Sequence, residues 1–350
     1  FAVNVGGNRA GHPKTYFSPY RNPDLSDGPE GEYLTDRMAA EAASFVKGAA
    51  AEKQPFLLYL PFYSVHTPIQ AKQELEVRYR KKAKTTAQRN AKYAAMIHSV
   101  DDSVGRVCAT LDRLGIRKNT LIVFTSDNGG LQGPTNNTPL RSGKGYPYEG
   151  GIRVPMIANW PGVVAVGETQ TPATSVDVLP TVAEAVGVEL PRDRQYDGVS
   201  LLPTMTGRAQ PDAGSRPLFW HFPHYRYNQV GPYSIVRRGK DKLIRYYEAG
   251  LGGVRRELYD LDQDPSETTD LAKEAPKRVA ELDDLLTEHL TEVGGLLPKQ
   301  QLRFADARSL YSFADEHHGR IIYSAAIRAK HGPRIYRLWR GDGRVRDAHL

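Results

Sequence analysis

The sequence predicts an α/β protein: a large unit with a largely parallel sheet, then a small α+β unit. Three observations carry this prediction. Helix-period segments and short apolar runs alternate through the first 188 residues, the order of an α/β layer structure. The texture changes after PTMTGRAQPDAGSRP (203–216), where short alternating runs replace long helices. One apolar run, LIVFTSDNGG (121–130), ends on Ser126, Asp127, Asn128 and two glycines, at the strand end where open α/β sheets hold ligands.

Taken in order, residues 33–49 form an amphipathic helix with Leu34, Met38, Ala42, Phe45 and Val46 on one face and Thr35 or Asp36 as its cap. Within QPFLLYLPFYSVHTPIQ (54–70), the continuous apolar run 56–60 has the pattern of a buried parallel strand. It leads into a polar turn with His66 and Pro68. The strongest helix spans 90–114, with Tyr93, Met96, Ile97, Val100, Val104, Val107, Leu111 and Leu114 at steps of three and four and Gly115 ending it. Strand 121–125 follows, then a Gly/Pro/Asn-rich loop (129–151), the apolar run VPMIANWP (154–161), and a loop and helix over 174–188 with Ser175 or Asp177 near the start. Beyond the linker, LFWHF, YSIVRRG, DKLIRYYEAG and RRELYDL have the character of hairpin strands. A helix over 274–294 aligns Val279, Leu282, Leu285, Leu286 and Leu290. No internal repeat is visible, and the last fifty residues show no pattern. The expected organisation is 1–208, a main α/β domain; 209–298, a small domain of antiparallel sheet plus helix; and 299–350, a basic tail.

Composition bounds the function. Hydrophobic residues at 40% and charged residues at 25% suit an ordinary globular protein with a sizeable core. No stretch approaches the roughly 18 apolar residues of a membrane span. The first residues lack the basic start and apolar core of a signal peptide, and the chain does not begin with Met, so a processed or truncated product is expected. A single cysteine, Cys108, excludes an internal disulfide framework and a cysteine-cluster zinc site. The net charge of +7 is concentrated: 301–350 hold ten basic and five acidic residues, and the other 300 residues hold 37 and 35. The body is nearly neutral and the tail reads as a solvated extension, so nucleic acid is not an expected partner.

Asp127 and Asn128 both offer the hard oxygen that Ca²⁺ or Mg²⁺ takes. The same stretch also suits a plain turn, since each of its residues favours one. Downstream, TPLRSGKGYPYEGGIRVP (138–155) places Lys144 between two glycines, where an ammonium can approach a tetrahedral anion. Arg141, Glu149 and Arg153 suit internal salt bridges that order the loop. His66 follows an apolar run, a position open to an acid, a base, a ligand or a hydrogen-bonded loop residue. His221 and His224 in WHFPHY either reach a site or line an aromatic cluster. Asp101 and Asp102 are adjacent on a helix and do not converge on one point.

The pieces YSVHTPIQ, TSDNGG and PLRSGKGYPYEGGIRVP occur in the order and spacing of the type I sulfatases of the arylsulfatase A-like group. NVGG…YFSPYRNP…EGEYLTDRM resembles the middle of those enzymes, and WHFPHY and ELYDLDQDPSETTDLA resemble their C-terminal subdomain. The resemblance covers residues 1–298. It implies an alkaline phosphatase-like α/β/α sandwich with a small C-terminal sheet domain. The implied reaction is Ca²⁺-dependent hydrolysis of a sulfate monoester, on a sulfated small molecule or glycan, by an exported enzyme. Asp127 and Asn128 would be two ligands of one Ca²⁺. His66 and Lys144 would contact the sulfate, one of them protonating the leaving oxygen. Such enzymes use a formylglycine made within Cys-x-Pro-x-Arg, and this sequence contains no such signature; Cys108 lies in GRVCATLDRLG. The paired aspartates of the family's first strand and its Lys-x-His segment are also not found, so the sequence resembles a sulfatase lacking its N-terminal part, with an incomplete Ca²⁺ site. An inactive anion-binding remnant and a phosphatase or phosphonate hydrolase are the competing expectations.

Overall fold

The computed structural model describes residues 1–82, 88–208, 214–224, 230–248, 253–298, 302–303, 319–322, 335–340 and 345–349. It divides into two units, residues 1–144 with 148–211 and residues 145–147 with 212–350.

In the first unit two helices dominate the packing, α1 (Leu34–Ala51) and α3 (Ala91–Arg113). The face α1 buries is mostly small: Ala39, Ala42, Ala43 and Val46. α3 answers with Ala95, Met96, Ser99, Ser103, Thr110 and Leu111. This differs from the apolar stripe the periodicity marks, for Ile97 is 49% exposed. Small residues win the interface because they let two helix backbones approach. Their hydroxyls cost little there, since Ser99, Ser103 and Thr110 each donate to the carbonyl four residues back. Asn90 caps α3, its side chain accepting from the Tyr93 amide at 3.1 Å, and Gly115 (φ +69°) ends it. The expected cap of α1 is corrected: Tyr33 holds that position without a side-chain bond. Thr35 is buried one turn inside, bonded to the Ser64 hydroxyl, and Asp36 pairs with Lys72. Between the two helices in sequence is α2 (Gln73–Lys82), which buries no residue and is invisible to periodicity, tied to α3 by Tyr79 Oη at 2.9 Å from His98 Nδ1.

A tyrosine-rich core joins the start of the chain to α1 and α3: Tyr16, Tyr20, Leu25, Tyr33, Leu34 and Met96. The strands depart from expectation. Residues 56–60 belong to no strand among the described residues. Their burial nonetheless alternates, with Leu57 and Tyr59 60% and 70% exposed and Phe56 packed edge-on against Phe45. An apolar run becomes a strand only where a neighbour takes its backbone hydrogen bonds. The predicted strands at 121–125 and 154–161 do form, as β1 (Ile122–Thr125) and β2 (Met156–Asn159), but they pair antiparallel, Ile122 opposite Asn159. Between them in sequence is the single turn α4 (Glu149–Ile152). Then come α5 (Val178–Ala185), which follows a capping box made by Thr174 and Asp177, and α6 (Leu202–Met205).

The second unit forms as the alternation predicts. β3 (Leu218–Phe222), β4 (Tyr233–Arg238), β5 (Asp241–Glu248) and β6 (Gly253–Asp260) make an antiparallel sheet in sequence order. The β4–β5 turn has only Gly239 and Lys240 between its last paired residues, and Gly239 sits at φ +61°, which glycine adopts without a Cβ penalty. α7 (Pro276–Glu292) lays Leu282, Leu286 and Leu290 on Val236, Leu243 and Leu258. The tail, where the sequence shows no pattern, contains β7 (Leu302–Arg303), β8 (Gly319–Ile322), β9 (Ile335–Arg340) and β10 (Val345–His349), in the order β7-β10-β9-β8.

Candidate active site

β1 ends at Thr125, whose hydroxyl donates to Pro155 O at 3.1 Å, and the chain then presents Asp127, exposed, and Asn128, half-buried. The two glycines that follow are there for close approach. The Gly129 amide donates to Gly151 O at 2.9 Å, and a Cβ on Gly129 would stand 1.9 Å from Gly150 O. The Lys144 amide donates to Gly130 O at 3.0 Å, and a Cβ on Gly143 would meet that same oxygen at 2.4 Å. Gly150 in turn donates to Arg141 O at 2.9 Å. The strand end and the 141–151 loop are thus interlocked backbone to backbone. Asn137 closes the knot: its Nδ2 donates to Gly130 O (2.9 Å) and Ser142 O (3.0 Å), while its Oδ1 accepts from the Gly130 amide. Sequence reading passed over Asn137; its one signal is an amide inside a Gly/Pro-rich loop. Arg141 lies over the Tyr148 ring at 3.8 Å. Neutral polar groups of the same loop, among them Gln132, Asn136, Thr138 and Ser142, line a cavity of about 210 Å³.

Within this knot Lys144 is half-buried, and neither it nor Asp127 has an ion-pair partner among the described residues. An ammonium left without a carboxylate is the group an anion can use. The structure brings Asp127, Asn128 and Lys144 onto bonded loops.

His66 sits on a separate loop, and no described contact joins it to 127–144. That loop is firmly held. The His66 amide donates to Tyr63 O at 2.7 Å, and Tyr16 Oη donates to His66 O at 2.9 Å. Tyr33 Oη donates to Gln70 O at 2.8 Å. Burial raises both phenols, Tyr33 up to about 12 against the pull of Ser64 and Thr35, so both remain protonated donors at neutral pH. His66 Nδ1 is 3.0 Å from Thr67 O. A carbonyl only accepts, so this contact is a hydrogen bond when Nδ1 carries the proton; the Thr67 hydroxyl is also 3.2 Å from Nδ1, and Nε2 has no protein partner among the described residues. The His12 ring stacks on His66, centroids 5.8 Å apart and planes within 7°.

Asp127 and Asn128 suit a hard cation in kind and fall short in number. Ca²⁺ takes six to eight oxygens, and no group of three or more acidic, histidine or cysteine side chains among the described residues could hold a metal ion. Cys108 is half-buried in α3. His221 is committed within the second unit: Nδ1 is 2.7 Å from Ser234 Oγ and Nε2 is 2.9 Å from Leu296 O. His224 is exposed beside Phe222. Asp101 is exposed, and Asp102 is 3.5 Å from His98. No helix among the described residues is long and apolar enough to cross a membrane.

Residues 4–188 match the sulfatase family model, and residues 143–294 match that of the C-terminal region of N-sulphoglucosamine sulphohydrolase. A sulfatase of Formosa agariphila is 38% identical over 276 residues, 73% of this chain and 49% of that protein. The steryl-sulfatase of Rattus norvegicus is 39% identical over 187 residues, 51% of this chain and 30% of that one. The chain spans half or less of the length of these relatives. The crystal structure of Ps i-CgsB is similar with a TM-score of 0.67 at 28% identity, covering 83% of this chain and 61% of that one. With a family match over more than half its length, the chain belongs to the type I sulfatase family and has the alkaline phosphatase-like α/β fold with a C-terminal domain.

Proposed function

We propose that this chain carries part of the ester-binding site of a sulfuric ester hydrolase, which cleaves a sulfate monoester to an alcohol or phenol and sulfate. The observation that supports it most is Lys144, an ammonium without an ion pair on a backbone bonded to the strand end that presents Asp127 and Asn128. Lys144 neutralises charge on the non-bridging oxygens. His66, its Nδ1 against Thr67 O, is the group that protonates the departing oxygen. Asp127 and Asn128 would be two of the ligands of a Ca²⁺ ion, which would add positive charge beside the sulfate. With two donors, this chain alone binds Ca²⁺ no tighter than about 1 mM. The nucleophile is assigned to none of its residues, since Cys108 lies mid-helix and no Cys-x-Pro-x-Arg is present.

A sulfated glycan is the favoured substrate class. Ps i-CgsB has been solved in complex with k-i-k-neocarrahexaose, and the neutral amides and hydroxyls beside Lys144 suit sugar hydroxyls. In this reading residues 1–208 belong to the catalytic domain, 209–298 form the C-terminal domain, 299–350 a basic extension, and the enzyme is exported. The test is hydrolysis of 4-nitrocatechol sulfate with Ca²⁺ by the protein as the cell makes it. Lys144→Ala is expected to lower kcat by about 10²-fold or more. Failure to turn over, with the aldehyde verified by mass spectrometry, rejects the reading.

A further inference from the structure

His12 lies outside every motif that marks the site, yet the fold fastens it beside His66. Tyr63 Oη donates to Ala10 O at 3.2 Å, and the Tyr16 amide donates to Gln70 Oε1 at 2.8 Å. Together with the bond from Tyr16 Oη to His66 O, these bonds lace residues 10–16 to residues 63–70 on both sides of the two rings. The rings are alike in chemistry. His12 Nδ1 is 3.1 Å from Pro13 O and His66 Nδ1 is 3.0 Å from Thr67 O, so each Nδ1 faces the carbonyl of the residue that follows it; the Thr67 hydroxyl also approaches His66 Nδ1, at 3.2 Å. Each Nε2 then has no protein partner among the described residues. No carboxylate bonds to either ring nitrogen among those contacts.

In the neutral imidazole, a ring whose Nδ1 donates to a carbonyl presents Nε2 as an acceptor, and the stack sets that acceptor on the ring beside His66. An ester oxygen needs the donor. An acceptor beside it suits a hydroxyl on the carbon next to the ester, which an alcohol of the sugar type supplies and a simple phenol does not.

We propose that His12 is a substrate-binding residue that accepts a hydrogen bond from a hydroxyl neighbouring the sulfate ester held by His66. The inference rests on the reading of His66 as an ester-binding residue and adds a selector for polyhydroxyl alcohols. The test records the imidazole ¹⁵N signals of both histidines in this chain while galactose 4-sulfate, phenyl sulfate or inorganic sulfate is titrated in. Galactose 4-sulfate is expected to move both rings with one saturation curve, and the other two probes to move His66 alone. His12→Phe keeps an aromatic stack and loses Nε2. It is expected to weaken galactose 4-sulfate about five- to tenfold and leave phenyl sulfate unchanged, with an unaltered melting temperature. His12→Gln, which keeps an acceptor, is expected to recover most of the loss. Unchanged affinity for the sugar sulfate in His12→Phe, or a His12 signal that responds equally to phenyl sulfate, overturns the proposal and leaves the His66 reading standing. A His66 signal that no probe moves overturns both.

Discussion

The loops after β1 in the first unit and the β3–β6 sheet of the second use charge in opposite ways. In the second, ions are spent inside the fold. Lys242 and Glu267 are fully buried and bonded to each other at 2.7 Å. Asp283 bridges Arg245 and Arg256, each at 2.6 Å, and Arg278 pairs with Asp241 at 2.7 Å. In the first unit, the loops after β1 are bound by backbone and amide bonds, and Asp127 and Lys144 are left over. A buried ion without its counter-ion destabilises, so a fold that needs an ion for itself pairs it. Charges without an ion pair among the described residues, on loops bonded backbone to backbone, are the ones available to a ligand.

The sharpest way to break this contrast is Glu267→Gln, which keeps the shape and strands the Lys242 ammonium. It is expected to cost about 3–5 kcal/mol, read as lost hydrogen-exchange protection in the β3–β6 sheet. A loss under about 1 kcal/mol would mean the pair is not structural. Next is Gly129→Ala. Its Cβ has only 1.9 Å to Gly150 O, so backbone must move, at about 3 kcal/mol. Peptides over 126–151 should lose exchange protection first, and an unaffected loop would refute the interlock.

Asp283→Asn is expected to cost about 2 kcal/mol at neutral pH. Burial pushes this carboxyl up, but its bonds to Arg256 and Arg245 outweigh burial and hold it below the usual range. A depressed carboxyl contributes stability above its unfolded pKa and loses it as pH falls through the folded one. The gap between wild type and variant should therefore close on acidification, in urea titrations carried from pH 7 down through the carboxylate range. A gap that persists in acid would mean the bridge is not the source. Smallest in stability is Lys144→Ala, within about 0.5 kcal/mol, because nothing in the fold depends on that ammonium. It should abolish sulfate binding by calorimetry. Substantial destabilisation there would erase the difference between the units.

Much of this was legible before any coordinates. The β3–β6 sheet and α7 read off directly, since alternation and helix periodicity are local properties; β7–β10 did not, for the sequence shows no pattern there. α1, α3 and α5 read off too, whereas α2 and the short α4 and α6 did not; the glycine-flanked Lys144 and the Asp127–Asn128 pair stand out in the sequence as motifs. The errors have one origin. The run 56–60 is apolar enough for a strand, but strand formation depends on a neighbour elsewhere in the chain. The buried face of α3 runs through Ser99 and Ser103 because α1 presents alanines there. Asn137 carries only the faint signal of an amide in a Gly/Pro-rich loop and His12 none, and they matter for what lies seven and fifty-four residues away.

By itself the sequence determined the types of element, the chemistry carried at each loop, and through its motifs the family. Only the tertiary structure decided that Gly129 and Gly143 are needed for backbone contact, that the ammonium of Lys144 meets no carboxylate among the described residues, and that two histidines share one stack. Periodicity and residue type express forces acting within a few positions, whereas close approach and missing counter-ions exist only once distant segments have met.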